Sequence, residues 1–211
     1  MGPEVLDHSM IHSEMEDPMA NVLSGPRLSG PEWLNSFPTS KSVEDLVEPF
    51  RSKAKSFIAA LEAAGATVGV NATLRPAARA YLMHWSFCIA REDFDPAQVP
   101  AMPGVNIDWV HRDEKGNTFL AACKLAAEQM VQGYDIAFKP VLVSRHTQGL
   151  AIDMNIAWTR VALIIVDGNG KKIRISGGNK DGSNPKLQDV GKSYGIIKLE
   201  SDPPHWSSDG H

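Results

Sequence analysis

The chain has 211 residues, 43% of them hydrophobic, enough to bury the core of one compact domain and short for two. Lys and Arg total 21 against 25 Asp and Glu, and the net charge of -4 with no long basic block excludes the electrostatic footprint of a nucleic-acid or anionic-membrane binder. No apolar run approaches the roughly 20 residues that span a bilayer, and no basic segment leads into an apolar core, so the expectation is a soluble chain made in the cytoplasm without an export signal.

Met1 to Ser40 is rich in Gly, Pro and Ser, and is expected to be an N-terminal arm, mobile or wrapping, in which Trp33, Leu34 and Phe37 dock onto a domain spanning residues 41–211. Val43, Leu46, Val47, Phe50, Ala54, Phe57, Ile58 and Leu61 follow helical spacing, divided by Pro49 into a short turn and a main helix that Gly65 ends. Ala66 to Thr73 alternates as a strand does, and Pro76 opens a helix toward Ile89, leaving Arg75 at the junction. Asp93 to Asn117, with three prolines and Gly104, reads as a long loop before a helix over about Thr118 to Gln132. Strands are expected at Val141–Val143, Ala151–Ile156, Val161–Val166 and Lys172–Ile175, then a short helix from Asn184-Pro185 and a last strand from Gly195 to Leu199. Helices first and strands later indicate an α+β domain. Cys88 and Cys123 fall on apolar helix faces, where a thiol behaves as a small hydrophobe.

One constellation carries chemistry. Along the strand after Gly149, Ile152, Met154 and Ile156 share one face while Asp153 lies on the other, so a carboxylate sits on a rigid element opposite the core. His146 precedes the turn at Gly149, which lets the chain bring an imidazole back beside Asp153. A second imidazole, His205, follows Pro203 and Pro204, whose fixed φ limits the entropy lost in holding a ligand. Two imidazoles and a carboxylate suit Zn²⁺ with a fourth position left for water. Taken singly, the same residues also read as a turn histidine, a strand carboxylate and a tail histidine stacked on Trp206.

The pattern Ser144-x-His146-x-x-Gly149-x-Ala151-x-Asp153, with Asp202-x-x-His205-Trp206 downstream, resembles the D-alanyl-D-alanine carboxypeptidase and L-alanyl-D-glutamate endopeptidase family of zinc peptidases, which includes vancomycin-resistance dipeptidases and phage endolysins. That resemblance covers about Val68 to Trp206. It implies helices packed on a small, mainly antiparallel sheet, as in the D-Ala-D-Ala peptidase and hedgehog-type fold, with one Zn²⁺ held by His146, Asp153 and His205. Asp202 then matches the general base; Glu200 is a competitor, displaced by about 6 Å in an extended segment. Arg75 matches an arginine facing the scissile carbonyl, with Arg79 as the alternative, and Ser144 matches a substrate-contacting serine or serves as a turn hydroxyl. The implied substrate is the peptidoglycan stem peptide, cleaved by a carboxypeptidase or an endolysin-like endopeptidase that reaches the wall through a phage pore protein or within a virion.

Two alternatives stay open: a peptidoglycan-binding or virion module that keeps the metal site without turnover, and a D-Ala-D-Ala dipeptidase. A long loop roofing the cleft would favour the dipeptidase. His84, on a helix beside Trp85, reads as a packed helix histidine, and His111, in the long loop, as a residue within reach of the cleft rim. His8, His12 and His211 lie near the termini and are given no role.

Overall fold

The first described helix shows how local sequence sets the architecture. In the computed structural model, which describes residues 25–211, α1 (Phe50–Ala64) buries Phe50, Ala54, Phe57, Leu61 and Ala64, one stripe at helical spacing. Upstream, Ser42 caps a separate 3₁₀ turn over Val43–Asp45, so the expected helical stretch divides at Pro49. Gly65 ends α1 at φ 89°, a left-handed conformation that a residue with a Cβ adopts at a cost of roughly 1 kcal/mol.

The chain then forms β2 (Thr67–Ala72), α2 (Ala77–Arg91), α3 (Leu120–Gly133), β4 (Ala151–Ala157), β5 (Ala162–Val166), β6 (Lys172–Ser176), α4 (Pro185–Ser193), β7 (Ile197–Lys198) and β8 (His205–Ser207). Two short strands, β1 (Arg27–Leu28) and β3 (Ile107–Asp108), pair in parallel. The principal sheet is antiparallel, in the order β2-β4-β8-β7, and β5-β6 is a separate hairpin. Among the described residues the fold is therefore α+β, four α-helices with a small antiparallel sheet.

Two apolar clusters hold it together. One joins α1, the core face of β4 (Ile152, Met154, Ile156), the β5-β6 hairpin, α4 and Trp206. Trp206 is fully buried, 5.5 Å from the Phe57 ring centroid, and the absence of a side chain at Gly191 makes room for it. The other cluster joins α2 and α3 to Trp33 and to Val105 and Trp109 of the long loop. Segment 25–40 thus contributes core: Trp33 is buried, and its carbonyl accepts a hydrogen bond from the Tyr134 hydroxyl at 2.9 Å. The preceding part of the expected arm, with His8 and His12, lies outside the described residues.

Two local expectations differ from the structure. Val141–Val143 has no strand partner among the described residues, bends at Leu142 and Val143, and leaves Val141 and Val143 57% and 68% exposed. β-Branched residues favour a strand only where a neighbouring edge and a face to bury are present. Conversely, His205–Ser207 is a strand directly after two prolines, because β4 on one side and β7 on the other supply the ladder. Cys88 and Cys123 are buried free thiols.

Candidate metal centre

Asp153 and His205 face each other across the β4-β8 ladder as direct register partners. His146 reaches them from a turn over residues 144–149. Leu150 N–H donates to the Arg145 carbonyl and Gly149 N–H to the His146 carbonyl, and Gly149 sits at φ 69°, where a Cβ would also press on Val47. Arg75 N–H donates to the same His146 carbonyl at 3.1 Å, fastening the turn to the end of β2. A bulge in the β2-β4 register between Val70 and Ala72 precedes Thr73, which is fully buried and fixed by bonds to the Ser40 and Ser42 carbonyls. Bulges recur beside functional sites because they re-aim the chain without ending the sheet.

The three side chains meet in a nearly equilateral triangle. His146 Nε2 is 3.1 Å from Asp153 Oδ1, His205 Nδ1 is 3.2 Å from the same oxygen, and the two nitrogens are 3.2 Å apart. His146 and His205 are 6% and 7% exposed. The outer nitrogen of each ring meets a backbone carbonyl, His146 Nδ1 at 2.7 Å from Thr73 O and His205 Nε2 at 3.1 Å from His211 O. A carbonyl only accepts, so each outer nitrogen carries a proton, and in the neutral ring the inner nitrogen then presents a lone pair. The two inner nitrogens and a carboxylate oxygen therefore converge on one point, an arrangement able to hold a metal ion. Tetrahedral Zn²⁺ with bonds of about 2.0–2.1 Å spaces its ligands about 3.3 Å apart, close to the observed separations. Donation of the outer ring N–H to a backbone carbonyl is also the usual way a ligating imidazole is oriented.

Electrostatics favour positive charge beside Asp153. Burial pushes the Asp153 carboxyl up, but hydrogen bonds and charge from His146 and His205 outweigh it and hold the group well below the usual carboxylate range. For His205, burial acts to lower the imidazole and the contacts with Asp153 and the His211 carbonyl overcome it, leaving it raised. Among the described residues, this is the one group of at least three His, Cys, Asp or Glu side chains placed to hold a metal ion.

Around the triangle, the structure sorts the remaining candidates. Arg75 is half-buried at the junction of β2 and α2, close enough to Asp153 for the carboxylate to oppose the lowering that burial imposes on its guanidinium. Its Nε is buried with no hydrogen-bond partner among the described residues. Arg79, in contrast, is engaged: it donates to the Leu34 carbonyl at 2.5 Å and lies 4.0 Å over the Tyr134 ring. Asp202 is exposed in the turn before β8, its carbonyl accepting the His205 N–H at 3.0 Å, and its charge acts on the His205 imidazole. Lys198 binds that turn from beneath, its ammonium donating to the Leu199, Asp202 and His205 carbonyls. Glu200 is exposed and acts on Lys198. The Ser144 hydroxyl accepts from Thr147 N–H at 3.3 Å, a turn-closing bond, and Ser144 also lines an open groove of about 410 Å³ with His205, Val141, Val143 and Gln148.

His84 and His111 lie apart from the centre. His84 Nδ1 bonds the Pro140 carbonyl at 2.7 Å and its ring meets Trp85 edge-on, whereas His111 Nε2 bonds Ser29. No residue of the long loop lines the groove beside His205; its Val105 and Trp109 are spent in the second core cluster. Sequence reasoning missed the Thr73 and His211 carbonyls, which are backbone groups without a residue signature, and Lys198, whose role depends on the turn it closes. Compared with protein-family models and with curated proteins, the chain gives no match.

Proposed function

We propose that the chain is a zinc-dependent peptidase of the D-Ala-D-Ala peptidase and hedgehog-type fold that hydrolyses a peptide bond in the peptidoglycan stem peptide. The observation that carries the reading is the convergence of His146 Nε2, Asp153 Oδ1 and His205 Nδ1 at 3.1–3.2 Å, with both outer ring nitrogens bound to backbone carbonyls. This donor set fits one Zn²⁺, whose imidazole and carboxylate preferences differ from the all-oxygen shells of Mg²⁺ and Ca²⁺. Bound there, zinc supplies Lewis acidity and a nucleophilic water at neutral pH.

The chain's own residues do the rest. Asp202, held at a fixed offset from His205 by Pro203-Pro204 and by the His205 N–H bond to its carbonyl, accepts a proton from the attacking water and returns it to the leaving amine. Arg75, half-buried beside Asp153, supplies the positive charge that stabilises the carbonyl oxygen as negative charge develops on it. The groove beside His205 is open and the long loop does not roof it, which favours an extended wall peptide over a free dipeptide.

The test is the rate of stem-peptide cleavage, with zinc content measured alongside. Asp202→Asn is expected to keep its zinc and lose turnover by about 10²–10⁴-fold, the contribution of a positioned general base, whereas Glu200→Gln stays near the parent rate. The opposite outcome makes Glu200 the base, and full activity in both variants removes the assigned mechanism.

A further inference from the structure

The C-terminal segment 207–211 touches the centre through one atom, the His211 carbonyl that accepts from His205 Nε2 at 3.1 Å. That carbonyl is placed by a small network. Gly210 turns the chain at φ 83°, and its N–H donates to Ser207 Oγ at 2.8 Å. His211 N–H donates to Ser207 Oγ at 3.0 Å and to Asp209 Oδ1 at 3.3 Å. Ser207 is fully buried on β8, two residues beyond the ligand. Asp209 is in turn gripped on both oxygens by Arg145, through Nε at 3.0 Å and through Nη2. Arg145 belongs to the turn that carries His146, and its Nη1 donates to Gln148 at 2.7 Å within that turn.

Beside the backbone bond from Ser208 N–H to the Leu150 carbonyl, this ion pair is the side-chain link between the segment that orients His205 and the turn that presents His146. We infer that Arg145 and Asp209 are positioning residues of the metal centre, acting through the His211 carbonyl to hold His205 as the Nε2–H tautomer with Nδ1 free to ligate. The inference rests on the metal reading of His146, Asp153 and His205. Both side chains of the pair are half-buried, 35% exposed, so its bidentate geometry contributes modestly to global stability. Its larger effect should fall on the imidazole it orients, with a smaller change in the melting temperature of the metal-free protein. Outer partners of metal ligands typically alter affinity by about 10–100-fold.

Two readouts on the full chain test it: zinc affinity by competition with a chromophoric chelator, and the His205 tautomer by nitrogen NMR of the metal-free protein. Asp209→Ala and Arg145→Gln, which break the pair from opposite segments, are expected to weaken zinc by about 10-fold or more and to populate the Nδ1–H form of His205. Asp209→Asn, whose amide oxygen still accepts from His211 N–H, should fall between them and the parent. An unchanged tautomer in both Asp209→Ala and Arg145→Gln overturns the inference, whatever happens to zinc. A parent that takes up no zinc, with the tautomer still shifting in the variants, removes the proposed function and leaves the positioning network standing.

Discussion

Supplying and removing zinc should change stability by an amount that follows from where the donors sit. His146 lies in the turn 144–149, Asp153 on β4 and His205 on β8, so an ion held by all three cross-links segments that unfolding separates. A ligand bound only by the folded state adds about 4 kcal/mol when its free concentration is a thousand times its Kd. In a chain of this size each kcal/mol shifts Tm by about 2–4 °C, so zinc should raise Tm by roughly 8–16 °C over the chelated protein. His146→Ala loses one donor and the buried bond to the Thr73 carbonyl. The lost bond costs about 1 kcal/mol, or about 2–4 °C without metal, and zinc at the same concentration should then add little. His84→Ala and His111→Ala, whose rings bond Pro140 and Ser29, should keep the full zinc shift. The assay is thermal unfolding followed by circular dichroism, chelated and zinc-loaded. Equal zinc shifts in the parent and His146→Ala would refute the reasoning, because the ion would then be held elsewhere.

Two further substitutions probe the surroundings of the centre. Arg75→Lys keeps a positive charge but loses the planar fork whose Nε is buried and unpaired; kcat/KM on a stem peptide should fall by about 10²–10³-fold, as for loss of an oxyanion donor, with zinc content unchanged. Gly191→Ala places a Cβ at 2.7 Å from Trp206 Cζ3 and 2.9 Å from the Ile196 carbonyl. Overpacking of this kind costs about 1–3 kcal/mol, so Tm should drop by about 2–12 °C, and an unchanged Tm would show that the contact behind β8 yields freely.

Much of the scaffold was legible because its determinants are local. Gly65 and Pro49 mark the limits of α1, and the alternation in 151–157 separates the buried Ile152, Met154 and Ile156 from Asp153. What escaped depends on partners distant in sequence. β8 is only three residues long and follows two prolines, so nothing local marks it; its ladder comes from β4 and β7. Val141–Val143 has the composition of a strand and pairs with no strand among the described residues. At the centre, the motif brought His146, Asp153 and His205 to attention, whereas the Leu34 carbonyl and the Tyr134 ring that engage Arg79 come from distant segments with no local signal. The orienting carbonyls of Thr73 and His211 carry no residue signature at all.

Peptidase action on cell-wall peptides is tested most directly by mass spectrometry of purified peptidoglycan after incubation with the protein. The account predicts new peptide termini from one bond of the stem peptide, formed with zinc, lost on chelation and nearly lost in Asp202→Asn. Intact stem peptides after prolonged incubation with protein carrying one zinc per chain would contradict it, and would leave a metal-bearing module without turnover.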